Sequence, residues 1–120
     1  MQEILDETLT VTTRDAYVRV DVTFHALLAR STQNELFVLL LDSIAEIMSK
    51  VREMAFDIPS APHRAHKYHS LILDQVKAGN AEGARQAMRD HLIEAEATML
   101  SVMALYAQHG SDSESTRAPE

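Results

Sequence analysis

The stretch from Glu35 to Phe56, ELFVLLLDSIAEIMSKVREMAF, decides the fold class of this chain. Its apolar residues recur every three or four positions, which is the spacing of one face of an α-helix. The stripe consists of Leu36, Leu40, Ile44, Ile47 and Val51, widened by Phe37, Leu41 and Met48. A helix with so wide an apolar face is expected to be central and heavily buried.

The same helical spacing continues on both sides of this stretch. It predicts a helix from about Thr13 to Arg30, another from Ser60 that ends at Gly79, and a last one from Asn80 to about Gln108. No stretch keeps the two-residue period of a strand. The sequence therefore predicts an all-α fold, an antiparallel bundle of four main helices with short loops.

Polar residues stand where these helices should begin. Thr32 with Glu35 fits a capping box for the central helix, and Asn34 is an equal candidate for its N-cap. Ser60 and Asn80 are expected to cap the two helices that follow them.

The composition narrows the class of protein. At 120 residues the chain is long enough for one domain, which we expect at 1–109, with a disordered tail at 110–120. The chain has no cysteine, which excludes disulfides, thiol nucleophiles and iron–sulfur clusters. A net charge of −7 disfavours nucleic-acid contact by this chain alone. Without a long apolar run or a signal-peptide pattern, we expect no membrane contact and a cytoplasmic location.

Histidines form the main candidate site. Asp21 and His25 lie one helical turn apart on a face that is otherwise apolar. His69 and His91 fall on the inward faces of two further helices. Three imidazoles and one carboxylate that meet in a bundle suit zinc, nickel, manganese or iron, and zinc or nickel is the first expectation.

Other interpretations of these residues stay open at this point. A single inward histidine can be a hydrogen-bonded core residue, and Asp21 and His25 can bond each other without a metal. The remaining histidines, His63, His66 and His109, are expected at the surface, at the mouth of the bundle or at a frayed end.

Three ordered blocks resemble a known family. Asp21-Val22-Thr23-Phe24-His25, followed by Ala29 and Asn34, resembles the signature D-x-x-F-H … A-x-x-x-x-N of the FCD domain. The segment 69–80, HSLILDQVKAGN, is similar to its H-x-x-I-L-x-A-I-x-x-G-D, and 84–92, ARQAMRDHL, is similar to its A-x-x-A-M-x-x-H-L. FCD domains are the effector-binding domains of one branch of GntR-family bacterial transcription regulators.

The resemblance implies specific roles. In the metal-binding members an aspartate and three histidines hold a divalent metal, and these positions correspond to Asp21, His25, His69 and His91. A small carboxylate effector usually meets that metal. Arg52 occupies the place of an arginine that often lies near the effector, although it can equally be a solvated side chain.

The chain also departs from the family's usual layout. We expect that this sequence lacks the winged helix-turn-helix that reads DNA. The first helices of the domain are expected to be missing or reduced to a stub, so that the bundle is truncated at its N-terminus. Apolar surface left open by the missing helices predicts a homodimer.

The function implied is therefore that of a sensor, not of an enzyme. A metal and a small organic acid in the bundle core would modulate DNA binding by a reading head outside this chain. The alternatives are a metal-dependent hydrolase and a bundle that metal merely braces. Glu94 and Glu96 flank the inward stripe and are expected to be solvated, so neither supports the hydrolase.

Overall fold

The computed structural model describes residues 1–8, 10 and 13–114, with the backbone alone at residues 8 and 111–114. In these residues every regular element is a helix. The helices are α1 (Gln2–Thr8), α2 (Arg14–Ser31), α3 (Glu35–Ala55), α4 (Ala61–Lys77) and α5 (Ala81–Glu114). The prediction of an all-α bundle with four main helices is confirmed, and a short helix precedes them.

Side-chain caps fix where three of the main helices begin. Thr13 caps α2, because its Oγ1 accepts a hydrogen bond from the Ala16 N–H at 3.3 Å. Asn34 is the N-cap of α3, because its Oδ1 accepts hydrogen bonds from the backbone N–H groups of Leu36 and Phe37 at 3.1 and 3.3 Å. Asn80 accepts from the Gly83 N–H at 3.0 Å and starts α5 in the same way. Of the two candidates for the start of α3, the structure thus selects Asn34.

Ser60 precedes α4 but does not cap it as predicted. Its backbone is left-handed, with φ of 63°, and its side chain makes no capping hydrogen bond. The tight turn after Pro59 takes Ser60 out of the extended conformation from which an N-cap side chain reaches back to the helix. At the other end of α4, Gly79 has φ of 66°, as a glycine that follows a helix should.

One core cluster joins α1 to the main helices. Leu5, Phe24, Ile72 and Leu73 are each at most 3% exposed and bring α1, α2 and α4 together. A second, smaller cluster of Ile58, Ala61 and Val102 packs the turn before α4 against α5. Together the two clusters join α2, α4 and α5, the helices that carry the histidines described below.

The expectation that α3 is central and heavily buried is wrong. Leu36, Leu40 and Ile47 are 64%, 57% and 66% exposed, and only Ala55 of this helix is buried. The helix packs on α2 and touches α5, but it does so with a different face, which carries Leu41 and Met48. Periodicity correctly predicted which residues share a face, but not whether another helix covers it.

The last helix is longer than predicted. α5 continues to Glu114, past the predicted end near Gln108, and its 34 residues make a rod about 51 Å long. The chain accordingly measures 67 Å along its longest axis. Residues 115–120 lie outside the described residues, so the domain boundary at 109 and the disordered tail stay predictions. None of the described helices has the length and apolar character needed to cross a membrane.

Candidate metal centre

Three histidines from three helices meet at one point of the bundle. The Nε2 atom of His91 lies 3.2 Å from Nε2 of His69 and 3.4 Å from Nε2 of His25. One nitrogen from each residue falls within 4.8 Å of the other two. The histidines chosen from the sequence as inward-facing are therefore brought together, and they lie close enough to hold a metal ion.

The surrounding core fixes the orientation of the rings. Phe24, which is fully buried, stacks on His69 with ring centroids 4.3 Å apart. The rings of His25 and His91 stack on each other at 5.4 Å and are nearly parallel. His69 is 2% exposed and His91 6% exposed, so each ring has few alternative rotamers. The nitrogens thus converge through packing, which is how a binding site is preorganised.

Asp21 lies beside the cluster, although it is not among the residues whose ligand atoms all fall within 4.8 Å of one another. Its two carboxylate oxygens lie 3.5 Å from Nε2 of His69 and 3.9 Å from Nε2 of His25. The side chain is buried, and the Nε of Arg52 donates a hydrogen bond to Oδ2 in an ion pair. The pair explains how an aspartate is tolerated on this face, because an unpaired buried carboxylate is costly.

Burial keeps the three imidazoles neutral. It lowers the pKa of His25 to about 4, with a smaller contribution from the neighbouring His91. Burial is likewise the main reason that the pKa values of His69 and His91 lie below the ordinary value. At neutral pH each ring therefore has one nitrogen with a free lone pair, which is the form that binds metals.

Hydrogen bonds alone do not satisfy the ring nitrogens of this histidine cluster. Nε2 of His91 faces two other Nε2 atoms, yet a ring nitrogen of neutral histidine has either one proton or one lone pair. Its Nδ1 atom is buried and has no hydrogen-bond partner. A cation between the rings would remove this conflict, since all three lone pairs could point to it.

The nitrogen separations also fit a metal. With metal–nitrogen bonds of about 2.0–2.1 Å, two ligands of a tetrahedral ion lie about 3.3 Å apart. The two separations from His91, 3.2 and 3.4 Å, bracket that distance, and all three nitrogens lie within 4.8 Å of one another. The residues present therefore fit a divalent ion in both chemistry and spacing.

A cavity of about 70 Å³ adjoins the cluster, and all four main helices line it. Asp21, His25 and His91 form its histidine-rich wall, and Arg52 of α3 lines it as well. One of the two interpretations of Arg52 was a solvated side chain. The structure does not agree with it, because only 14% of the Arg52 side chain is exposed. Tyr17 adds a phenol whose pKa burial raises, so this group stays a neutral hydrogen-bond donor.

Sequence reasoning missed a polar group that also lines the cavity. Glu94 was expected to be solvated, but its side chain is 15% exposed and pairs with Nε of Arg64 at 2.7 Å. Thr98 donates a hydrogen bond to the same carboxylate at 2.9 Å. The sequence offered one signal of this contact, since Glu94 lies one turn before Thr98 on α5. It could not show the ion pair, because the partner Arg64 lies on another helix. Glu96 is exposed, as expected.

The other histidines lie apart from the cluster. His63 and His109 are exposed, and His66 is partly buried beside Ser70. None of them belongs to a group with metal-ligand spacing among the described residues.

Comparison with protein families agrees with the fold and the site. The profile of the FCD domain matches residues 1–94, which is most of the chain and includes all three clustered histidines. This chain belongs to the FCD domain family. Neither the curated proteins nor the solved structures include a significant match to it. An FCD domain is a regulatory ligand-binding domain, consistent with GntR-family regulators, so membership supports an effector-binding role in transcription regulation.

Proposed function

We propose that this FCD domain is the sensor of a GntR-family transcription regulator that works in the cytoplasm. It binds a divalent metal through His25, His69, His91 and Asp21, and a small organic acid at that metal. The observation that carries the proposal is the convergence of three Nε2 atoms beside a cavity. DNA would be bound by a reading head outside the residues described.

A metal held by these four residues would supply a positive charge and, if it expands beyond four ligands, a coordination position for the acid. Three neutral imidazoles and one carboxylate leave an ion with a net charge of about +1, which favours an anionic partner. Zinc and nickel are the first candidates for imidazole-rich sites, and manganese or iron would also accept these ligands.

The cavity sets the size of the acid. A space of about 70 Å³ holds about two water molecules at about 30 Å³ each, so only a small acid of a few non-hydrogen atoms would fit. Arg52 can bind such an acid, since it lines the cavity and a guanidinium carries a charge at any physiological pH.

Binding at this place can change the packing of the bundle. Residues of α2, α3, α4 and α5 all line the cavity, so a ligand that fills it contacts every main helix. A ligand shifts the balance between two helix arrangements only through its difference in affinity for them, typically about 1–3 kcal/mol.

The hydrolase alternative receives no support from the acidic residue in the cavity. Glu94 is the carboxylate that could serve as a general base, but Arg64 and Thr98 occupy its oxygen. At Oε1, these two hydrogen bonds already take both lone pairs that would accept a proton from water.

Metal content and melting temperature test the proposal together. The protein is purified without chelator, analysed for bound metals, stripped with EDTA and titrated with Zn²⁺, Ni²⁺ and Mn²⁺. At a free metal concentration of about 100 Kd, binding stabilises the fold by about 2.7 kcal/mol. For a domain of this size that raises Tm by about 10 °C. A stripped protein whose Tm does not respond to any of the three ions contradicts the metal site.

Matched histidine variants and simple acids complete the experiment. His91→Ala is expected to weaken metal binding by about a hundredfold or more, whereas the exposed His63→Ala should bind like the wild type. Acetate should raise the Tm of the metal-loaded protein but not of the stripped one, and acetamide should raise neither. An equal response to acetate and acetamide would show that the carboxylate is not what the site recognises.

A further inference from the structure

Arg52 is the positive charge that Asp21 meets in this structure. Its Nε donates a hydrogen bond to Oδ2 of Asp21, and the two side chains are only 14% and 6% exposed. The nearby imidazoles of His25 and His69 do not balance the carboxylate, because burial keeps them neutral at pH 7. A buried carboxylate that loses its counter-charge destabilises a fold strongly, so Asp21 depends on Arg52.

The same carboxylate also faces the histidine cluster. Its Oδ1 lies 3.5 Å from Nε2 of His69, and Oδ2, the oxygen that Arg52 holds, lies 3.9 Å from Nε2 of His25. Adjacent ligands of a tetrahedral ion lie about 3.3 Å apart. Asp21 is therefore a small movement away from a ligand position, while it already has a cation as its partner.

One carboxylate cannot balance two cations. A divalent ion on three neutral imidazoles and Asp21 keeps a net charge of about +1, and Arg52 adds a further positive charge at the same carboxylate. Like charges repel more strongly in a buried site than in water. Glu94, the other carboxylate that lines the cavity, is already paired with Arg64. An ion that binds Asp21 thus takes the partner of Arg52.

Arg52 has room to leave Asp21. Its side chain lines the cavity of about 70 Å³ that adjoins the cluster. A guanidinium has five N–H donors, and water in the cavity could accept from them once the carboxylate is given up. The release would need a change in the side chain of Arg52, and α3 itself could stay in place.

We propose that Arg52 is a competitor for the metal, a counter-ion that the metal has to displace from Asp21. This inference rests on the proposed metal site and adds what controls its affinity. Arg52 stabilises the fold when no ion is bound, and the same contact lowers the affinity of the site for metal. It thereby sets the metal concentration at which the site fills.

The zinc affinity of Arg52→Met tests the competition. Wild type and variant are stripped with EDTA, freed of chelator, and titrated with Zn²⁺ against a chromogenic zinc chelator. The variant is expected to bind zinc about tenfold to a hundredfold more tightly, the factor that corresponds to one hydrogen bond between charged groups. If Arg52 instead oriented Asp21 for the metal, its loss would weaken zinc binding by a similar factor.

Arg14→Met is the matched control. Arg14 also ties α2 to the end of α3, since it donates to Oδ2 of Asp57 and to the carbonyl oxygen of Glu53, both at 2.7 Å, but it lies at the surface. Its loss should leave the zinc affinity unchanged. An equal gain of affinity in Arg14→Met and Arg52→Met would assign the effect to a looser α3 and overturn the proposal.

The Asp21→Asn background separates competition from repulsion. Without the carboxylate there is nothing to compete for, so adding Arg52→Met to Asp21→Asn should change the zinc affinity by less than about twofold. A gain as large as in the Asp21 background would show that Arg52 acts by charge repulsion alone, which overturns the proposal.

NMR on wild type gives a measurement that does not depend on the folding of a variant. The Nε–H signal of Arg52, assigned by its loss in Arg52→Lys, should be protected from exchange with water in the stripped protein, and saturation with zinc should remove that protection. A signal that stays protected in the zinc-loaded protein overturns the proposal. Wild type that binds no zinc contradicts the metal site itself, whereas zinc binding without a gain in Arg52→Met contradicts only the competition.

Discussion

Lowering the pH of the metal-free protein from about 7 to about 4.5 is expected to reduce its free energy of unfolding sharply. The cause is His25, whose pKa is about 4 in the folded protein and 6.5 in the unfolded chain. Above pH 6.5 both states are neutral at this ring, and the histidine gives no pH dependence. Between the two values only the unfolded chain takes up the proton, so protons favour unfolding and stability falls as the pH falls.

The size of the effect follows from the difference between the two pKa values. Each pKa unit corresponds to 1.36 kcal/mol, so a shift from 6.5 to about 4 corresponds to about 3 kcal/mol in all, most of it lost by pH 4.5. His69 and His91 act in the same direction, since their pKa values are also lowered by burial. A loss of this size is a large share of the stability of a small domain.

Urea denaturation at several pH values in EDTA measures the effect, with His25→Gln as the matched control. Carboxylates that titrate in the same range affect both proteins, so their difference isolates the imidazole. Wild type should lose up to about 1.4 kcal/mol per pH unit more than the variant between pH 6 and 4.5. Equal slopes for the two proteins would refute the reasoning, because His25 would then take up its proton as easily in the folded state as in the unfolded one.

Three further predictions concern other parts of the site and the fold. Phe24→Ala should cost about 3–5 kcal/mol in urea denaturation, because Phe24 is fully buried and stacks on His69; a loss below 1 kcal/mol would contradict that packing. Ser60→Gly should stabilise the protein by about 0.5–1 kcal/mol, since glycine tolerates the left-handed backbone, and Ser60→Ala should not; equal effects would argue against backbone strain. Arg52→Met should weaken acetate binding to the metal-loaded protein by about tenfold or more while zinc stays bound, as calorimetry would show; unchanged acetate affinity would remove Arg52 from the effector site.

The histidine cluster was predictable because each helix carries a strong internal signal. His69 and His91 share a face with apolar neighbours, and a polar residue on such a face has to meet other polar residues inside the bundle. Asp21 and His25 lie one turn apart, so any bundle that buries one of them brings the other close. What the spacing left open was which nitrogens converge, and the packing of Phe24 on His69 decides part of that.

Two errors share one physical reason, which is that a sequence pattern describes a helix and not its neighbours. The stripe that begins at Leu36 was correctly placed on one face, but no described helix covers that face. The exposure of Glu94 was predicted from its place on α5 alone. Its carboxylate is in fact paired with Arg64 of α4, thirty positions earlier in the chain, and this pair keeps it largely out of solvent. Burial and ion pairing between helices are tertiary properties, and helical periodicity contains no information about them.

Arg52 joins α3 to the candidate metal centre. It lines the cavity and is paired with Asp21. An acid that binds Arg52 would therefore meet a guanidinium that already pairs with a carboxylate of the metal site. By thermodynamic linkage, the acid and the metal would change each other's affinity by the same factor. The affinity measured for the effector would then depend on the concentration of free metal, so a regulator built on this domain would respond to metal supply as well as to its ligand.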